Sequence, residues 1–273
     1  MPSVQLDRIR VESQSIAALF LKPERLVRSL DLHFEKYENR AKRQSGKRRS
    51  ALLLKYYEVP RPVIRELQRE LLTQQQDEGA KPLPSIDALW ERATREHREI
   101  AAYLLGQLPV SNFRNVRARI RTWAQDNQED VMLDAIGLMA TQQMRDLAPL
   151  ELQPLSKRLL RSGELNQRAA GLRILKALID EGSMTDLPAI MDLLVPVYRR
   201  PRKNLRPYLL EVLESLIVRS PGEALYFTQQ RLSESSDKNT IWLATQGLKA
   251  FGPHESALLN ESLTEIGTRT GKS

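Results

Sequence analysis

The chain predicts an all-α fold, a superhelix built as a solenoid of antiparallel helix pairs. Three observations carry that reading. Candidate first helices open near Ser111, Pro149, Asp186 and Pro221, and candidate second helices near Gln128, Glu164, Asn204 and Asn239. Both series step by about 37 residues, within the range of roughly 20–50 that marks stacked repeats burying their apolar faces only against each other. Apolar residues recur at three and four, as in Leu205, Leu209, Val212, Leu213, Leu216 and Ile217, and no useful window alternates with period two. The repeat also shows in letters: Asp134-Ala-Ile-Gly-Leu in one second helix matches Arg168-Ala-Ala-Gly-Leu in the next, with Gly137 and Gly171 suited to close helix packing.

In chain order, residues 3–20 and 23–44 read as two helices, the second opened by Pro23. Proline suits a helix start because its missing N–H had no partner there. RAKRQSGKRRS is a basic break centred on Gly46, followed by an apolar stretch over 51–59 with Tyr56 and Tyr57. Pro60 and Pro62 start a further helix that ends in the polar tract TQQQDEGAKPLP. Ser85 reads as the N-cap of a helix running to about Leu108. Four helix pairs fill 111–251, an amphipathic helix covers about 254–268, and GTRTGKS is a frayed tail. The simplest organisation is one solenoid domain over 1–273. It comprises N-terminal helices with a basic loop (1–84), helix-pair repeats (85–251), and a capping helix with its tail (252–273).

Composition removes several chemistries. The chain has no cysteine, so disulfides and thiolate metal sites are excluded. Its three histidines, His33, His97 and His254, lie far apart in sequence, and neither a metal nor a cofactor is expected. Glycine-rich phosphate loops, paired catalytic carboxylates and nucleophile elbows are absent. The N-terminal stretch has acidic residues before a very short apolar run, unlike a signal peptide or membrane span. A soluble, cytoplasmic monomer without membrane partners is the expectation.

The formal net charge is +8 and the pI about 9.7, a balance that favours polyanionic partners. Its distribution says more. Glu35 to Arg65 holds ten Lys or Arg against three Glu, including Lys47, Arg48 and Arg49. Val110 to Gln125 carries Arg114, Arg117, Arg119 and Arg121 with no acid before Asp126. Leu193 to Leu210 carries Arg199, Arg200, Arg202, Lys203 and Arg206, again with no acid. Arginine suits forked hydrogen bonding to phosphate oxygens, so a phosphate-bearing polyanion is the expected class of partner.

Three stretches resemble the HEAT-like DNA alkylation repair family, which includes bacterial alkylpurine DNA glycosylases built as α-solenoids. The first is LLLKYYEVPRPVIRELQREL (52–71), an aromatic-x-Val-x-x-Pro segment leading into a helix with a central Arg. The second is LWERATREHREIAAYLL (89–105), with Trp90, Glu96, Arg98 and Ala101 on successive turns. The third is the train of helix pairs from 111 to 251. The resemblance implies a catalytic Asp, matched by Asp134 in DVMLDAIGL. It implies an Arg followed by small residues, matched by Arg168 in NQRAAGL, and a later Trp four residues after a Lys, matched by Trp242 after Lys238. The family's Trp four residues before the Asp is absent, since Asp130 stands there, and so is the Leu-Arg that follows the later Trp.

In such glycosylases the leaving purine is already cationic and needs no general acid. A carboxylate stabilises the sugar's oxocarbenium character, and aromatic faces add about 0.5–2 kcal/mol each beside the cationic base. Other readings stand beside these. Asp134 also fits a solvated helix residue, Trp242 a packed aromatic between repeats, and Arg168 either a phosphate contact or a salt bridge to Asp134. Trp90 and Trp123 read as structural. Two functions remain open: a DNA-binding repair protein with N-glycosylase action on cationic alkylpurines, and a non-catalytic scaffold binding structured nucleic acid or an acidic protein.

Overall fold

Helix starts follow the prolines. In the computed structural model, α2 (Pro23–Tyr37) and α13 (Pro221–Glu234) begin on a proline, and Pro149 opens the 3₁₀ turn that leads into α9 (Leu152–Leu160). The structure describes residues 6–38, 54–77, 79, 81–126, 129–183, 186–235 and 237–270, with side chains as far as Ile266. All ordered elements among them are helical apart from one isolated bridge between Lys55 and Thr94. The chain groups into two compact units, 1–120 with 127–143 and 121–126 with 144–273.

Unit one contains α1 (Leu6–Ala17), α2, α3 (Arg61–Gln75), α4 (Leu83–Glu91), α5 (Arg95–Gly106) and α7 (Asp130–Asp134). It also holds the first part of α6 (Phe113–Asp126). Helix α1 packs on α3, α2 on α4, and α5 on both α3 and α4. Phe34, Leu67, Leu71, Leu89, Ile100 and Leu104 are fully buried between them. Burying each such side chain contributes about 1.5–3 kcal/mol.

Three expectations need correction here. Helix α2 stops at Tyr37 rather than near 44, because Glu38 turns to extended backbone with ψ 127°. Ser85 is not a cap: it lies inside α4, buried, and its hydroxyl donates to the Phe20 carbonyl. The single helix from Ser85 to Leu108 is two helices. Ala93, at φ 55°, leaves the helix so that the Arg95 N–H can reach the Lys55 carbonyl at 3.0 Å.

The second helix anticipated from Gln128 is also broken. Helix α7 runs into a π turn (Ala135–Met139), whose wider ring is closed by Ala140 N–H donating to the Ala135 carbonyl at 3.0 Å, before α8 (Gln142–Leu147). Gly106 shows how tightly α5 lies against this turn: a β-carbon there would sit 1.7 Å from the Met139 carbonyl oxygen. Turns of this kind recur at functional sites.

Unit two is layered as the period predicts. Its first helices are α9, α11 (Leu187–Arg199), α13 and α15 (Pro253–Thr270), each packed on the next. Its second helices, α10 (Leu165–Asp180), α12 (Arg206–Arg219) and α14 (Lys238–Gly247), form the other layer. The periodic set Leu205, Leu209, Val212, Leu213, Leu216 and Ile217 is entirely buried, with none above 3 % exposed. Gly171 permits close approach of α10 to α9: a β-carbon would meet Leu159 Cβ at 3.1 Å.

Candidate nucleic-acid interface

The arginines sort into two groups according to what holds them. One group is spent on ion pairs spaced by the repeat. In unit two the buried Arg145 makes a two-pronged pair with Glu181, 36 residues on, at 2.7 and 2.9 Å. Arg173 pairs with Glu211, 38 residues on, and Arg199 with Glu234, 35 residues on, at 3.3 Å. Unit one has the same device between Arg61 and Glu99, 38 residues apart. These separations are the solenoid period itself, so each pair ties one repeat to the next. Arg199 therefore belongs to the frame as well as to the surface.

The other group has no carboxylate partner among the described residues. Arg168, in the first turn of α10, donates through Nε to the Ser162 carbonyl. Arg202 donates through Nη1 to the neighbouring Gly163 carbonyl at 3.4 Å. Two guanidinium groups are thus anchored on one short turn. Burial, and then the nearby Arg202 cation, weaken the hold of Arg168 on its proton, although an arginine stays charged. Arg206 lies over the face of Trp242, its guanidinium carbon 4.8 Å from the ring centroid. Arg200, Lys203 and Lys238 are exposed around these groups in the chain. Arg161, exposed at the head of the same 161–164 turn, was not singled out by the sequence reading; the signal was the RSGE turn, whose carbonyls become anchors. The N-cap of α10 is Glu164, also exposed.

The remaining candidates divide as follows. Asp134 is in unit one, half-buried, as the last residue of α7 directly before the π turn. Asp130 opens the same helix, exposed, and four residues' spacing puts the two carboxylates on one helix side. Arg168 and Trp242 are in unit two. Trp90 and Trp123 are 5 % and 4 % exposed, so both rings are packed. Lys47, Arg48 and Arg49 lie outside the described residues.

The two motif stretches of unit one meet around one buried and one half-buried carboxylate. Glu96 accepts from the Tyr57 and Glu58 N–H groups, both at 2.9 Å, and burial pushes its carboxyl upward. Asp31 accepts from the Tyr57 hydroxyl at 3.0 Å and from Arg92 Nε at 2.8 Å, with the buried His97 3.9 Å away. Arg98 donates to the Trp90 carbonyl and stacks over that ring at 4.8 Å. These residues fix the fold of the N-terminal helices.

A family model described as DNA alkylation repair enzyme matches residues 30–197, more than half the chain. The chain belongs to the DNA alkylation repair enzyme family. The match takes in both motif stretches, Asp130, Asp134 and Arg168, and stops before Arg199–Arg206, Lys238 and Trp242. It supports a role in DNA repair. No curated protein and no solved structure matches the chain. Among the described residues, no helix is long and apolar enough to cross a membrane, and no cluster of three His, Asp or Glu is placed to hold a metal ion.

Proposed function

We propose that this member of the family acts in DNA repair by holding the phosphate backbone of duplex DNA on the arginine-rich second helices of unit two. The observation that carries the reading is the Arg168–Arg202 pair. Two cations share one turn, each tied by a backbone carbonyl and neither by an acid. A phosphate oxygen is the group that relieves their mutual repulsion, and fork-shaped donors suit it. Binding should weaken steeply with salt, because each neutralised phosphate releases counterions. Replacing both arginines by glutamine should lower the slope of log affinity against log salt by about 2. Fluorescence anisotropy of a labelled duplex between 50 and 300 mM salt would read this; a wild-type protein that ignores duplex DNA at low salt defeats the proposal.

The finer reading is N-glycosylase action on cationic alkylpurines. In it Asp134 is the carboxylate that serves the sugar and Arg168 is a cation that holds a phosphate. Family membership and the position of Asp134 before a π turn support it. Base release from N-methylated duplex should then fall by orders of magnitude in Asp134→Asn while binding stays nearly unchanged, since the carboxylate serves the transition state. Asp130→Trp should raise the rate by removing a like charge and adding an aromatic face.

A second reading, a non-catalytic binder of nucleic acid, is favoured by one observation. Where the family places an aromatic, Asp130 exposes a carboxylate. No base release by either wild type or Asp130→Trp would decide for the binder.

A further inference from the structure

Between successive second helices, unit two uses one device twice and completes it only once. Arg173 of α10 lies over Tyr208 of α12 at 4.9 Å, and Glu211 closes on its guanidinium. Arg206 of α12 lies over Trp242 of α14 at 4.8 Å, and no carboxylate among the described residues closes on it. In the first case the charge is neutralised and the stack is an internal strut between repeats. In the second the guanidinium is half-buried, its Nε is enclosed without a hydrogen-bond partner, and neither Nη group is held by an acceptor among the described residues. Contact with an aromatic face returns less than it costs to desolvate an uncompensated cation. The missing element is an anion. Lys203, three residues before Arg206, and Lys238, four residues before Trp242 and so on the same side of α14, are both exposed cations.

We propose that Arg206, held flat by Trp242, is a preset anchor for one phosphate group, with Trp242 as its positioning residue rather than a wall for a damaged base. The anchor lies outside the stretch matched by the family model. The stack fixes the plane of the guanidinium and leaves its Nη edge free for a bidentate contact with two phosphate oxygens. As a phosphodiester site it rests on the DNA-binding reading; as a site for free phosphate it does not.

The test measures duplex binding against salt for wild type, Arg206→Gln, Trp242→Ala and Trp242→Phe, with thermal melting as the check of folding. Intrinsic tryptophan fluorescence is then recorded with pyrophosphate alone. Arg206→Gln should lower affinity about fivefold to tenfold and the salt slope by about 1. Trp242→Ala should reproduce the slope change, because an unstacked arginine loses its orientation, and Trp242→Phe should restore most of it. Pyrophosphate should perturb fluorescence in wild type and not in Arg206→Gln. If duplex binds with an unchanged slope in both Arg206→Gln and Trp242→Ala, the anchor is wrong while DNA binding stands. If Trp242→Ala weakens binding at unaltered melting and Arg206→Gln does not, the ring itself stacks on a base and the proposal is overturned. If wild type ignores DNA but shows an Arg206-dependent response to pyrophosphate, the anchor serves free phosphate and the DNA-binding reading falls. If it answers to neither, both fall.

Discussion

In unit one, carboxylates tie cations and hydroxyls from neighbouring helices together; in unit two, several cations have no carboxylate partner among the described residues. Glu12 accepts from Arg8, Lys36 and the Tyr37 hydroxyl and faces the buried His33 at 3.6 Å. Asp31 does the same for Tyr57 and Arg92 beside His97. Unit two also has its ion pairs, among them three spaced by the repeat and two within a helix, and they leave Arg168, Arg202 and Arg206 with only carbonyl oxygens or a ring. Net charge therefore misleads as a guide to where a polyanion would bind. An arginine matched by an acid one repeat away is a strut, whereas an arginine anchored by a neutral group keeps its charge for a ligand.

Unit one is most sensitive at its tightest contact. Gly106→Ala drives a β-carbon into the Met139 carbonyl, and backbone cannot rotate aside as a side chain can. A loss of about 3 kcal/mol or more is expected, read as a melting temperature lower by roughly 6–12 °C. Gly171→Ala in unit two meets side-chain carbons at 3.1 and 3.3 Å, which can give slightly, and should cost about 1 kcal/mol. Equal effects would contradict the packing described for α5.

Acid should separate the units next. Burial pushes His33 and His97 down from 6.5 to about 4, against the pull of Glu12 and Asp31 respectively. Folding keeps both neutral, so the stability they supply is complete above 6.5 and is lost as pH falls from 6.5 towards 4. Burial alone would raise Glu12, but hydrogen bonds from Lys36, Arg8 and Tyr37 bring it down to about 2, so its contribution is lost below 4.5. Glu96, pushed up by burial, opposes the trend above 4.5, one group against two. Hydrogen exchange at pH 5 should therefore show α2 and α5 opening before α10 and α12. Simultaneous opening of all four would refute this ordering.

A smaller effect distinguishes the two kinds of arginine. Arg199→Gln removes a surface pair with Glu234, while Arg202→Gln removes a cation that no acid holds. Duplex affinity should fall about threefold to tenfold for Arg202→Gln and by less than twofold for Arg199→Gln, with little change in melting for either. The reverse ranking would overturn the census. The smallest change concerns caps: Asp186, which accepts from the Ala189 N–H at 3.0 Å, should cost about 1 kcal/mol when replaced by alanine.

Local pattern along the chain is enough to specify the class of fold. Apolar residues at three and four spacing, prolines at helix starts and a period near 37 specify amphipathic helices that must bury their stripes on neighbours, and these are local facts of the chain. It also carried the family, through the stretches around Tyr57 and Trp90 whose carboxylates hold the N-terminal helices together. Which arginines keep their charge for a ligand depends instead on contacts between distant repeats. The partner of each strut lies 35–38 residues away on a different helix, and no local pattern says whether Glu211 will reach Arg173 or leave it open, as Arg206 is left. The break at Ala93 and the π turn after Asp134 have the same origin. Each exchanges a helical hydrogen bond for a fit, to the Lys55 carbonyl in one case and around Gly106 in the other, and such a fit exists only once the distant segment has arrived.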